Sequence, residues 1–399
     1  MNKNWKTFYD ILTKEERTII GLMSGTSLDG LDIAVCNVRS HGLNTDLKVL
    51  QFHTVPYQDE FKKDIKSIFS KQLVDLQMIA LMNEKIASLH AEMILSSLAS
   101  WGIAPSEVDI IASHGQTIFH APKSLHGKAG YPNATLQIGD GDHIAVRTGI
   151  ITIADFRQKH IAAGGEGAPL AVYGDYLYFS KPGEVRIMLN IGGIANITFL
   201  PGDINGAKIF STDVGPGNTI MDQFVQANFE GMHYDVDGLL AAKGNINEAL
   251  LTSLLDHKFF DKEFPKTTGP ELFNLDFLSA AQVKSNTNDI SPQDVLATLN
   301  KLTATVIENA IQRCTENQEL VTVYYSGGGI HNKLLVKHLK VGLPNVQFKT
   351  TDKLGINPDA KEAVLFALLA NETLVGNPID FHNRAGLPSI SMGKICLPF

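Results

Sequence analysis

Cysteine is scarce in this sequence: Cys36, Cys314 and Cys396 are its three cysteines, far apart and with no CxxC pair. That spacing excludes a disulfide framework and a thiolate metal site, and it fits a reducing compartment. Clustered positive charge is missing as well, since 34 Lys and Arg stand against 42 Asp and Glu, for a net charge of -8. No window gathers the cations needed to hold a polyphosphate backbone, so nucleic acid is not an expected partner. The first 17 residues mix Lys, Glu and Asp with scattered apolar side chains. They lack the unbroken apolar run of a signal peptide or of a membrane span of about 20 residues. A cytoplasmic protein with a short N-terminal helix and no membrane contact is expected. Nor is there an HExxH or other helix-borne metal pair.

What is present is a large apolar fraction, 44% of 399 residues, enough for two units at the usual size of roughly 100 to 200 residues each. Thr18 to Val38 reads as two apolar strands around a small-residue turn at Met23 to Gly30, and Leu47 to Val55 as a third strand. Helical spacing covers Glu60 to Ser100, with a break around Lys71 to Leu76. Val108 to Ala112, Thr135 to Gly139 and Ile150 to Ala154 are further strands, and Asp142 to Thr148 is a helix. The second half repeats the scheme. Val185 to Ile191 and Ile194 to Leu200 flank Gly192-Gly193 as a hairpin, Lys208 to Ser211 is a strand, Asn218 to Asn228 and Pro292 to Cys314 are helices, and Val321 to Tyr325 is a strand. Two blocks of hairpin, strand and helix predict duplicated α/β domains that face one another.

Three polar loops carry candidate chemistry. In Gly21-Leu22-Met23-Ser24-Gly25-Thr26-Ser27-Leu28-Asp29-Gly30, the glycines let backbone N–H groups approach a phosphate, the hydroxyls of Ser24, Thr26 and Ser27 can donate to it, and Asp29 can hold Mg²⁺ or its waters. The loop has neither a Walker lysine nor GxGxxG spacing, and a plain Gly/Ser turn is the alternative. In Thr212-Asp213-Val214-Gly215-Pro216-Gly217-Asn218, an acidic residue at a strand end precedes a glycine turn that opens a helix. This arrangement aims a carboxylate beside backbone donors, and the competing reading is an N-cap. Gly327-Gly328-Gly329 leaves a flat surface for adenine or ribose, or is only a tight turn. His114, Gln116, Asp155, Arg157 and Gly165 follow short strands of the first half and are candidate sugar contacts. Glu362 opens an apolar helix, where it either complements the helix dipole or reaches a metal.

Together these segments resemble the anhydro-N-acetylmuramic acid kinases. The likeness runs over nearly the whole chain, through GLMSGTSLDGLDIAV, ASHGQTIFH, ADFR, AAGGEGAPL, LNIGGIANIT, DVGPGN, PKTTG and SGGGIHN to Glu362. The resemblance implies an α/β two-domain actin-like (ribonuclease H-like) ATPase fold with an interdomain cleft. Residues 1–180 with 370–399 would form the sugar side and residues 181–369 the nucleotide side. It also implies that the loop near residue 25 binds the phosphates of ATP, that the GGG loop lies by the adenosine, and that Asp213 is the catalytic base. The implied reaction adds water to the anomeric carbon of a 1,6-anhydro sugar and passes a phosphoryl group from MgATP to the freed 6-oxygen. Many members carry an acidic residue where this chain has His160, and Gln where it has Glu166; both lie in the segment expected near the sugar. A kinase for another anhydro sugar such as levoglucosan, a chaperone-type ATPase and an inactive regulatory descendant are the competing readings. A homodimer is a further expectation.

Overall fold

Alternating apolar side chains over Glu16–Ser24 (β1) and Gly30–Arg39 (β2) form an antiparallel hairpin. Asp46–Pro56 (β3), at most part-buried except at Leu47, closes its outer edge. In this computed structural model, which describes residues 2–315, 320–382 and 386–399, the chain folds as two compact units. The first runs to Tyr178 and resumes at Gly355; the second spans Phe179–Leu354.

In the first unit, Ile110–Ala121 (β4) lies parallel to β1, and Thr152–Ala154 (β6) lies parallel to β4. The strand Lys394–Cys396 closes that edge antiparallel to β6, while Ala134–Ile138 (β5) pairs with the far half of β4. The core packs Ile20, Leu22, Leu31, Ile33 and Val35 of the hairpin against Phe61 and Ile65 of helix Asp59–Ile68 and Ile86 and Ile94 of helix Leu76–Trp101. These side chains recur at periods of two and of three to four, which is why the strands and helices share one apolar layer. The second unit repeats the plan. Val185–Ile191 (β7), Ile194–Leu200 (β8) and Phe210–Pro216 (β9) form a meander, and Val321–Ser326 (β10) and Val346–Thr350 (β11) add in parallel beyond β7. The order runs third, second, first and fourth in both sheets, followed by β6 in the first and β11 in the second. Duplication is therefore visible in topology.

Three elements differ from the sequence expectation. β4 runs well past Ala112, because Gly115 (φ 72°) turns the strand without ending it and lets its second half pair with β5. β9 runs through Asp213 to Pro216 and does not stop at Ser211, because the extended chain there keeps pairing with β8. The return of the chain to the first unit begins at Gly355 and not at residue 370. The reason is helix Lys361–Val375, buried from Ala363 to Glu372, which lies so close on β1 that a Cβ at Gly21 would stand 1.9 Å from the Ala363 carbonyl oxygen. Strand β11 and helices Lys333–Gly342, Glu248–Leu255 and Leu275–Ser285 lie in stretches the apolar pattern leaves unassigned.

Candidate active site

In the first unit, the turn after β1 rests on a buried chain of hydrogen bonds. The Ser24 hydroxyl donates to Gln116 Oε1 (2.5 Å) and also bonds the Tyr57 hydroxyl (2.7 Å), which bonds His90 Nε2 (2.8 Å). Gln116 Nε2 donates to the Gly25 and Thr117 carbonyls (3.4 and 3.1 Å). Ser24 and Gln116 are thus enclosed beneath the turn and occupied there; as phosphate and sugar contacts they are replaced by a supporting role, because β4 continues under the loop. Gly21 likewise serves the approach of helix Lys361–Val375 and not a phosphate. Thr26, Ser27 and Asp29 face solvent and Gly25 is half-buried, so these four remain open to a ligand.

Asp32, which sequence reasoning missed, joins this rim. Its carboxylate accepts from the Thr54 hydroxyl (2.5 Å), and burial, with Asp359 and Asp29 nearby, raises its pKa. The signal was present as a second acid three residues after Asp29, but on a half-exposed strand face such an acid reads as ordinary. Glu362 is open to solvent yet surrounded by enough protein mass that desolvation raises its carboxyl, with Lys361 and Arg157 opposing and Asp32 adding to the rise.

Arg157 and His114 form a second constellation. The Arg157 guanidinium donates through Nε to His114 Nε2 (2.9 Å) and through an Nη to the Gly167 carbonyl (2.6 Å). A guanidinium only donates, so His114 carries its proton on Nδ1, which donates to the Gly115 carbonyl (2.9 Å). Burial, helped by the adjacent Arg157 charge, pushes the His114 pKa well below its usual value, so the ring is neutral. Burial also pushes Arg157 down to about 10, with Glu362 opposing. With both ring nitrogens engaged, His114 orients Arg157. Asp155, in a left-handed conformation (φ 58°), pairs with Lys394 (2.5 Å) and ties down the last strand. Gly165 is glycine because the His160 ring fills its Cβ position, 2.2 Å away. His160 in turn accepts from Gly167 N–H through Nδ1 (2.9 Å). The segment 163–167 is therefore gripped from both sides by Arg157 and His160.

The second unit builds its site from backbone. Gly217 N–H donates to the Gly193 carbonyl and Asn218 N–H to the Gly192 carbonyl, both at 2.9 Å. A Cβ on Gly217 would meet the Gly192 oxygen at 2.2 Å, and one on Gly327 (φ 85°) would meet Asn190 Oδ1 at 2.5 Å and the Ile191 oxygen at 2.7 Å. Gly329 is equally tight on Ile191, whereas Gly328 has only Asn218 Nδ2 within reach, at 3.7 Å. The loops 192–193, 215–218 and 327–329 thus converge with almost no side chains between them. Gly215 packs against Val306 and Phe260. The hairpin glycines Gly192-Gly193 are a part of this cradle that the sequence showed only as a turn.

Asp213 stands beside it, half-buried on β9. Its Oδ2 accepts from Thr268 N–H (2.9 Å). Burial raises its pKa to about 6, with Glu271 adding repulsion and the Thr268 hydrogen bond opposing. An acid shifted into this range is a proton acceptor matched to neutral pH. Thr268 and Lys266, which approach Asp213 from a separate strap, were visible in sequence only as part of a PKTTG string.

No group of three or more His, Cys, Asp or Glu among the described residues is arranged to hold a metal ion by itself. One or two carboxylates at a rim, such as Asp29, suit Mg²⁺ that arrives with most of its shell supplied by phosphates and water.

Like sheets in the two units, with a glycine cradle beside the perturbed Asp213 carboxylate in one and a charged, hydrogen-bonded polar site in the other, are the architecture of an actin-like ATPase fold. The family model described as anhydro-N-acetylmuramic acid kinase matches residues 17–396. The anhydro-N-acetylmuramic acid kinase of Pseudoalteromonas atlantica is 56% identical over 100% of both chains, and that of Pseudoalteromonas translucida 53% identical over 99% of both. The chain belongs to this family. Among solved structures it is similar to the activator of the 2-hydroxyisocaproyl-CoA dehydratase from Clostridium difficile with bound ADPNP, at 12% identity over 90% of this chain and 95% of that one, with a TM-score of 0.37.

Proposed function

We propose that this enzyme opens 1,6-anhydro-N-acetylmuramic acid with water and phosphorylates it at the 6-oxygen, using ATP, as a step of peptidoglycan recycling. The observation that carries this is Asp213, a carboxylate raised to about 6 and oriented by Thr268 N–H beside the glycine loops. Above that pH it is ionised and takes a proton from water. The water oxygen bonds to the anomeric carbon, the bond from that carbon to O6 breaks, and O6 keeps the electron pair. O6 then bonds to the γ-phosphorus as the bridging bond to ADP breaks. The side-chain-free loops of the cradle let phosphate oxygens come close to the backbone.

Arg157, held in plane by His114 and Gly167, is the cation we assign to the lactyl carboxylate of the muramic acid. Mg²⁺, bound with the nucleotide, would neutralise phosphate charge; Asp29 and Glu362 are the residues to hold it or its waters. Among the described residues no helix is long and apolar enough to cross a membrane. A cytoplasmic homodimer completes the reading.

Release of ADP on a panel of anhydro sugars tests it. Turnover should be greatest with 1,6-anhydro-N-acetylmuramic acid and weak with levoglucosan, which has no carboxylate for Arg157. Equal turnover of the two would overturn the sugar assignment, and sugar-independent turnover raised by unfolded peptide would overturn the kinase.

A further inference from the structure

Lys266 is a buried cation in an unusual setting. Its ammonium donates to the Phe259 and Phe260 carbonyls (2.9 and 3.2 Å) and lies over the Phe259 ring at 4.4 Å and the Phe264 ring at 5.3 Å. Carbonyl oxygens and ring faces are both negative ends of dipoles, so the cage offsets part of the cost of burying the charged head. The backbone of the same residue is fixed on β9. Lys266 N–H donates to Thr212 Oγ1 (2.9 Å), and its carbonyl accepts from the Asp213 N–H (2.9 Å). Two residues on, Thr268 N–H reaches the Asp213 carboxylate. The side chain of Lys266 therefore fastens the strap 264–268 to the turn 259–260, and the strap carries a backbone donor to the base.

We propose that Lys266 is a positioning residue for Asp213: with its ammonium in the cage the strap presents Thr268 N–H to the carboxylate, and without it the strap loosens and the base loses both its orientation and that hydrogen bond. The inference rests on Asp213 being the base. Charged groups that face the ammonium are Arg313 on helix Pro292–Cys314, with Asp261, Lys262 and Glu263 on the preceding turn; those facing the base include Glu271. Burial is the main cause that lowers Lys266 to about 8, so it stays charged at neutral pH and loses its proton just above.

The two ionisations give the test a signature that a purely structural lysine would lack. In the wild type, kcat/KM for the anhydro sugar at saturating ATP should rise as pH climbs through about 6, where Asp213 ionises, and fall above about 8, where Lys266 discharges. In Lys266→Met, which keeps length and apolar contact, kcat should fall about 10- to 100-fold through misplacement of the base. Its acid limb should move to higher pH, because the hydrogen bond that lowers the Asp213 pKa is weakened, and its alkaline limb should vanish. Binding of a fluorescent ADP analogue should be unchanged. Lys266→Met with both limbs where the wild type has them would overturn the proposal, whatever its kcat. If that variant does not fold, Lys266→Gln, which can still donate to a carbonyl but carries no charge, decides the matter. Loss of its alkaline limb supports the cage and persistence of the limb overturns it. Asp213→Asn run in parallel separates the two claims, since activity surviving there removes the base itself and not merely its support.

Discussion

The two units share a strand order but handle polar groups in opposite ways. In the first, hydroxyls, imidazoles and a guanidinium are locked into each other: Ser24 with Tyr57 and Gln116, Arg157 with His114. In the second, the loops 192–193, 215–218 and 327–329 are almost bare of side chains, and the Asp213 carboxylate stands beside them. Bare backbone suits a ligand recognised by repeated, chemically simple oxygens. Buttressed side chains suit a ligand whose functional groups must be told apart. Under the proposed function the duplicated scaffold divides into a general phosphate holder and a specific reader, and each half should fail in its own way.

The largest failure is expected at the base. Asp213→Asn keeps the shape and the Thr268 hydrogen bond but removes the proton acceptor, which should lower kcat by about 10³- to 10⁴-fold while nucleotide binding holds. The same change should stabilise the fold. A carboxyl raised to about 6 when folded, against about 3.9 unfolded, weakens the native state progressively as pH rises from about 4 to about 6 and fully above that. After allowance for partial exposure, a gain of about 1 to 2 kcal/mol is expected at pH 7 and almost none at pH 4. Thermal unfolding at the two pH values checks this, and equal shifts at both would show that the carboxylate carries no such strain.

Next comes the cradle. Gly217→Ala places a Cβ against the Gly192 oxygen, 2.2 Å away, where only backbone can yield. Displacing loop 192–193 should weaken ATP by about 10²-fold, with overpacking costing about 1 to 3 kcal/mol of stability, and the sugar KM should be much less affected. Isothermal titration with an ATP analogue checks it. Undiminished affinity would remove this loop from the nucleotide site. On the other side of the comparison, Arg157→Lys keeps the charge but loses the planar fork that serves His114 and Gly167 together. An increase of about 10-fold in sugar KM is expected with the ATP KM unchanged.

Much of this division was legible in the sequence, and what was hidden has a physical reason. Helix Pro292–Cys314 and the hairpin around Gly192-Gly193 follow from local periodicity and turn chemistry. The direction of His114 and Gln116 does not, because it depends on Gly115 keeping β4 extended instead of ending it. Asp32 was masked by normal strand alternation. Lys266 was hidden more deeply, for its cage is made of carbonyls and rings brought together by an irregular stretch with no period to read. Gly21 looked like part of a phosphate loop and is a contact for a helix more than 300 residues later, a relation no local pattern encodes.

The smallest expected effect probes the support beneath the first unit's loop, and its sign follows from counting protons. Gln116 Nε2 is used on two carbonyls, so its Oε1 must accept, and Ser24 must donate to it. Ser24 has then no proton left for Tyr57, so Tyr57 donates to Ser24. Tyr57 in turn can only accept from His90, which must carry its proton on Nε2. The other nitrogen, Nδ1, is a buried lone pair with no hydrogen-bond partner among the described residues, consistent with a ring that burial keeps neutral, its pKa pushed down to about 3. Tyr57→Phe removes the middle of this one-way chain and strands the His90 N–H. The cost should be about 1 to 3 kcal/mol of stability with kcat changed less than by any substitution above, since Thr26, Ser27 and Asp29 lie above the chain and keep their exposure. Denaturant unfolding beside ADP-release kinetics measures both. A Tyr57→Phe protein as stable as the wild type would mean that the chain is not ordered in this direction, whereas a stable fold with collapsed kcat would make Tyr57 part of the chemistry instead of its support.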